Sequence, residues 1–234
     1  AILMPILFML AAETEDPTSP AQREIAPADD VTPAGEAVSL ADHALLRAHA
    51  ANLSTACIVI EAEGLDQIML QHGDRAAESL RVVLHQRLTA MLRPDDQVLR
   101  VGDRRFMVLI APALRAGLEH LLQLAARLQR GLEEPTEIDG ATHYVAASIG
   151  FVSSQRLSGA ASGSSMIEAA QTALSEALSN GPSAIRAWYE SLRAARDARA
   201  SLLADVGHAL TSGQIRPWFQ PQVCTSTGRI SGVE

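Results

Sequence analysis

The stretch that most constrains the fold is 97–111, where two apolar runs, QVLRV (97–101) and RFMVLIA (105–111), are separated only by Gly102-Asp103-Arg104. So short a connection, with turn chemistry, predicts an antiparallel hairpin. Its flanks alternate between two periods. ACIVIEA (56–62) reads as a buried strand, and Leu80, Val83, Leu84, Leu88, Met91 and Leu92 then recur at helical spacing up to Pro94. After the hairpin, Leu114, Leu118, Leu121, Leu122, Ala125, Leu128 and Leu132 outline a second amphipathic helix, and YVAASIGFV (144–152) reads as a strand. A Gly/Ser-rich loop (157–165), a helix from Met166 to Ser179 and a short strand over 184–188 complete the unit.

Strands interleaved with helices around a central hairpin predict an α/β (α+β) sandwich of ferredoxin-like kind, here over 37–190. Ser39 with Asp42 three residues on reads as a capping box opening a short helix into it. A connecting helix is expected over 187–211, with 191–212 lying between domains and Gly213 ending it. The last stretch, 213–234, alternates polar and apolar residues with a turn at Ser226-Thr227-Gly228 and predicts a β-hairpin. At the other end, residues 1–12 (AILMPILFMLAA) are all but continuously apolar and read as the end of a membrane-spanning helix; a signal-peptide core or a buried helix are the other readings. Residues 13–36, with Pro17, Pro20, Pro27 and Pro33 among acidic and small residues, read as a flexible tether.

Composition narrows the partners. With 19 Lys+Arg against 27 Asp+Glu and a net charge of -8, the chain offers no broad basic field, so nucleic acid is not expected as a partner. Cys57 and Cys224 lie far apart without metal-ligand spacing, which argues against a thiolate metal site. The histidines (His43, His49, His72, His85, His120, His143 and His208) form no catalytic spacing and read as surface or partly packed groups.

In their order, the strand IEAEGL, the following QHGDRAAESL, the RPDDQVLRVGDRRF hairpin, the SIG at 148–150 and the AQTALSEALSNG helix resemble the GGDEF domain, which makes cyclic di-GMP from two GTP. FQPQV followed by TGRISGVE resembles the opening of an EAL domain, which hydrolyses that product. The resemblance therefore implies a nucleotide-cyclase-like GGDEF fold followed by the first hairpin of a truncated EAL barrel.

In that family, carboxylates of the first strand and the hairpin turn hold two divalent cations. Glu61 and Glu63 stand in the matching strand, two apart and so on one face. The turn reads Gly102-Asp103-Arg104-Arg105-Phe106 where the family has Gly-Gly-Asp-Glu-Phe. Two acids have become arginines, and a guanidinium has no lone pair with which to ligate a metal. Met69 stands in place of a guanine-binding asparagine, Glu78 in place of an aspartate, and Leu178 in place of a phosphate-binding lysine. The resemblance thus implies a domain without diguanylate cyclase activity, its strand carboxylates vestigial as metal ligands, and Coulomb attraction predicts Arg104 or Arg105 folded back onto Glu61 or Glu63, an ion pair in place of the metal. The opposite arrangement has both guanidinium groups in water at the hairpin tip.

Arg93-Pro94-Asp95-Asp96 matches the family's RxxD site for cyclic di-GMP, implying Arg93 and Asp96 as ligand contacts, with Arg127 or Arg130 as the second arginine; good turn chemistry is the competing reading. Gln220 and Glu234 inherit, by resemblance, a substrate contact and a metal ligand of the EAL site, incomplete here, where Mg or Mn is expected for the full domain and no cofactor for this portion. The leading expectation is an inactive GGDEF domain regulating its own EAL phosphodiesterase, as the cytoplasmic part of an inner-membrane protein and with homodimerisation implied. A non-catalytic protein-interaction module is the alternative, and residual cyclase activity the third.

Overall fold

A computed structural model describes residues 31–114, 116–157, 161–214 and 218–234. The apolar run at 1–12 and most of the tether at 13–36 lie outside the described residues. The elements are α1 (Ala34–Ala50), β1 (Ser54–Glu63), α2 (Leu65–Met91), β2 (Gln97–Arg100), β3 (Arg105–Ala113), α3 (Leu118–Leu132), β4 (Thr136–Ile138), β5 (Ala141–His143), β6 (Ala146–Ser153), α4 (Gly163–Ser179), β7 (Ile185–Ala187), α5 (Glu190–Thr211), β8 (Pro221–Val223) and β9 (Ile230–Val233).

Five strands form one sheet in the order β2-β3-β1-β6-β7, antiparallel except for the β6–β7 pair. Buried on both faces, β1 alternates its side chains between two apolar layers. Ala56, Ile58, Ile60 and Ala62 join Phe106, Val108, Ile149 and Phe151 beneath α2 and α3. Cys57 and Val59 join Met107, Leu109 and Val152 beneath α1 and α4. The glycine of the SIG segment follows from this packing. A methyl group at Gly150 would collide with the backbone N of Leu174 and lie 2.5 Å from Ala170 O, so α4 can approach β6 only where no side chain intervenes.

Several boundaries differ from the sequence expectations. α1 begins at Ala34, so residues 34–36 are helical rather than tether, and Ser39 lies inside the helix, its hydroxyl donating to Gly35 O at 2.9 Å. Asp42 caps a different helix, accepting the Gly163 N–H at 2.5 Å at the start of α4. That helix opens three residues before Met166, on a capping box of Ser162 and Ser165. α3 starts at Leu118, after Gly117, leaving Leu114 85% exposed. Residue 187 belongs to β7, and α5 starts at Glu190. The hairpin of β4 and β5 is an addition to the expected elements, although Asp139-Gly140 carries its signal: both residues adopt positive φ, 51° and 79°. Its last residue, His143, expected at the surface or partly packed, is buried, with its ring edge-to-face against His72 at 4.7 Å.

Candidate functional site

Register brings the acidic end of β1 against the hairpin turn. Glu61 pairs with Arg105 on one side and with Ser148 on the other, so the Arg105 side chain shares the face of Glu61. Its Nε donates to Glu61 Oε2 at 2.7 Å, while Arg104 Nη2 lies 3.2 Å from Glu61 Oε1. Arg104 Nη1 also pairs with Asp66 on the first turn of α2. Both guanidinium groups thus fold onto Glu61, which is only 5% exposed, while their own side chains stay partly open to solvent at the hairpin tip. Glu63 is engaged differently, accepting the Ser148 hydroxyl at 2.5 Å.

This donor set does not fit a divalent cation. A dication needs carboxylate lone pairs free to face it, and both oxygens of Glu61 already face guanidinium nitrogens. Among the described residues no group of three or more His, Cys, Asp or Glu side chains gathers as a metal cage.

Beside the turn, Met69, Asp74, Arg75, Glu78, Arg81 and Asp103 line an open cavity of about 660 Å³. Glu78 is held from two directions, by Arg81 Nη1 at 2.6 Å and Arg100 Nη1 at 2.8 Å. Arg81 also donates through Nε to Asp103 O at 2.8 Å, fastening the turn to α2. The Arg81 and Arg100 roles escaped the sequence reading. The i,i+3 spacing of Glu78 and Arg81 was a usable signal, but Arg100 arrives from β2, 22 residues away. Leu178 packs partly buried against the apolar layer beneath α1 and α4.

Arg93 and Asp96 lie at the base of the same hairpin. Asp96 is 3% exposed; its Oδ2 accepts the Arg93 backbone N–H at 3.0 Å and its Oδ1 the Ala111 N–H at 2.9 Å. Asp96 therefore joins the loop to β3. Arg93, Asp96, His120, Gln123 and Arg127 line a cavity of about 480 Å³. Of the two candidates for a second arginine, Arg127 reaches this cavity, its Nη2 also donating to Met91 O at 2.7 Å, while Arg130 turns back to Ala126 O at 3.3 Å.

In the C-terminal hairpin, Gln220 and Glu234 face each other, exchanging backbone hydrogen bonds of 2.8 and 2.9 Å. Both side chains are exposed, and Trp218, Phe219 and Ile230 around them are largely uncovered.

Comparison with known proteins agrees with this layout. The chain is 25% identical over 179 residues to the bifunctional diguanylate cyclase/cyclic di-GMP phosphodiesterase MucR of Pseudomonas aeruginosa, a match covering 76% of this chain and 25% of MucR. The chain thus spans about a quarter of the length of that relative. Among solved structures, the GGDEF domain of TpbB (YfiN) from Pseudomonas aeruginosa superposes with a TM-score of 0.66 at 20% identity, over 74% of this chain and 98% of that one. The GGDEF domain of DgcB from Caulobacter crescentus, solved with cyclic di-GMP, gives 0.61 at 14% identity, over 74% and 97%. These two likenesses establish the fold. The sequence profile described as "Diguanylate cyclase, GGDEF domain" matches residues 37–184, well over half of the chain, and with a sheet, hairpin and strand carboxylates arranged as above, the chain belongs to the GGDEF domain family.

Proposed function

We propose that this chain is a non-catalytic GGDEF domain that serves cyclic di-GMP signalling as a regulatory module. The observation that carries the reading is the capture of both Glu61 oxygens by Arg104 and Arg105. Two-metal phosphoryl transfer needs carboxylates that hold cations, and here the cationic charge is supplied by the protein itself. The polar contacts to a guanine base are also thinned, since Met69 offers no hydrogen bond and Glu78 is engaged by two arginines. Incubation with GTP and Mg2+ is expected to give no cyclic di-GMP; product formation refutes the reading.

The ligand of the module is proposed to be cyclic di-GMP itself. Arg93 and Arg127 at one cavity supply two guanidinium forks suited to phosphate and to the guanine edge. Calorimetry should detect binding by the wild-type chain and its loss in Arg93→Ala. If the wild-type chain takes no cyclic di-GMP, the receptor reading fails and the protein-interaction module is the one to pursue.

We further propose that the module belongs to a longer protein, in which it acts on an EAL phosphodiesterase that begins with the β8–β9 hairpin and binds Mg or Mn. Gln220 and Glu234 would contribute to that active site, and α5 would pass on ligand state or dimerisation. The two-activity name of MucR favours this arrangement. Attachment to the inner membrane through residues 1–12, with the domain on the cytoplasmic side, belongs to the same proposal. No helix among the described residues is long and apolar enough to cross a membrane.

A further inference from the structure

The groove beside the turn is charge-balanced by its own side chains. Around the bend, Arg104 and Arg105 face Glu61 and Asp66. Between α2 and β2, Arg81 and Arg100 share Glu78, and Arg100 Nη2 lies 3.9 Å from Asp103 Oδ1. A dication requires a locally negative site and a triphosphate a positive one, so interleaved unit charges of both signs favour neither.

We propose that Arg104 and Arg105 act as built-in counter-ions, a metal-free cross-link that ties the hairpin turn to β1 and α2 and excludes divalent cations from Glu61. The proposal rests on the non-catalytic reading above and gives the groove a structural role. The residue type suits the task. One guanidinium of Arg104 reaches strand and helix together, Nη2 toward Glu61 and Nη1 toward Asp66, a bridge that a lysine point charge does not hold in fixed geometry. Near-complete burial of Glu61 gives the contact consequence, because a buried carboxylate deprived of its partner is strongly destabilising.

Thermal melting of the full chain in EDTA and in Mn2+ tests the proposal. The wild-type chain is expected to melt at the same temperature in both. A rise with Mn2+ overturns the cross-link even when no cyclic di-GMP is formed from GTP, whereas the non-catalytic reading falls only with product formation. The double variant Arg104→Asp with Arg105→Glu crowds like charges around Glu61. It should melt roughly 2–6 °C lower in EDTA, with Mn2+ recovering the loss. A variant equally stable in EDTA and indifferent to Mn2+ overturns the proposal. Should that variant fail to fold, the cycle of Glu61→Gln, Arg105→Gln and their combination decides. Shifts that fall short of additive support the cross-link, and strictly additive ones overturn it.

Discussion

Cys57 lies wholly inside the sandwich, where burial pushes its thiol up to about 12 from an ordinary value near 9. Hydrogen bonding to Ser226, and then to Thr227, instead pulls Cys224 down to about 6. At neutral pH an alkylating reagent should therefore modify Cys224 in the native chain and reach Cys57 only after unfolding, which mass spectrometry of the labelled peptides checks. The Cys57 shift also has a stability consequence. The native state keeps a proton that the unfolded chain releases above about 9, so stability should fall as pH rises from about 9 toward 12, by about 1.4 kcal/mol per pH unit. Every cation in the sequence is an arginine, so no lysine titrates across that window. Urea midpoints of the wild-type chain should decline over it more steeply than those of Cys57→Ala; parallel declines would contradict the assignment. At this scale the sequence spoke unevenly. The folding of arginine onto Glu61 was half legible: charge attraction favoured it once the family resemblance set the turn beside the strand, but two arginines in water at a hairpin tip fitted the sequence equally well. The buried His143 was not, because its neighbour His72 sits on a helix 71 residues away in the chain.

The hairpin of β2 and β3 is fastened at both ends, and the two ends call for different experiments. At the base, Asp96 accepts the Arg93 and Ala111 N–H groups inside the fold. Its truncation in Asp96→Ala strands both donors and should cost about 1–3 kcal/mol, lowering the melting temperature whether or not ligand is present. Arg93 donates to this bond only through its backbone, so Arg93→Ala should leave the melting temperature nearly unchanged while removing cyclic di-GMP binding. Equal losses of stability in the two variants would remove the distinction. A binding measurement on Asp96→Ala alone would confuse the two roles. The hairpin itself could be read from local chemistry, since turn residues and flanking β-rich runs lie within 15 positions. The clamp of Arg81 and Arg100 on Glu78 could not, because it depends on where α2 crosses the sheet, a tertiary outcome that no window of sequence records.

Across the whole molecule, the order of strands and helices was legible, the β4–β5 hairpin apart, because each longer apolar run has a clear period and β1, buried on both faces, can only be central. The limits of the folded body were less so, since they depend on which residues the sheet captures. The family match stops at residue 184. Yet β7 follows at Ile185–Ala187, paired in parallel with β6, and Ala184 O accepts the Ile149 N–H at 2.8 Å. Immediately beyond it, Trp188 is 5% exposed in the apolar layer beneath α1 and α4, its backbone N–H donating to Phe151 O at 2.7 Å, and Leu192 on the first turn of α5 is 7% exposed. A chain ending at 184 would leave an edge of β6 unpaired and a tryptophan-sized void against α4. Loss of a buried Trp side chain alone costs about 3–5 kcal/mol. Residues 31–184 are therefore expected to melt on the order of 10 °C below residues 31–195, given the few degrees per kcal/mol usual at this size. Calorimetry on the two shortened chains makes the comparison. Coincident melting temperatures would mean that β7 and Trp188 are accessory to the domain, and that the family boundary is also the physical one.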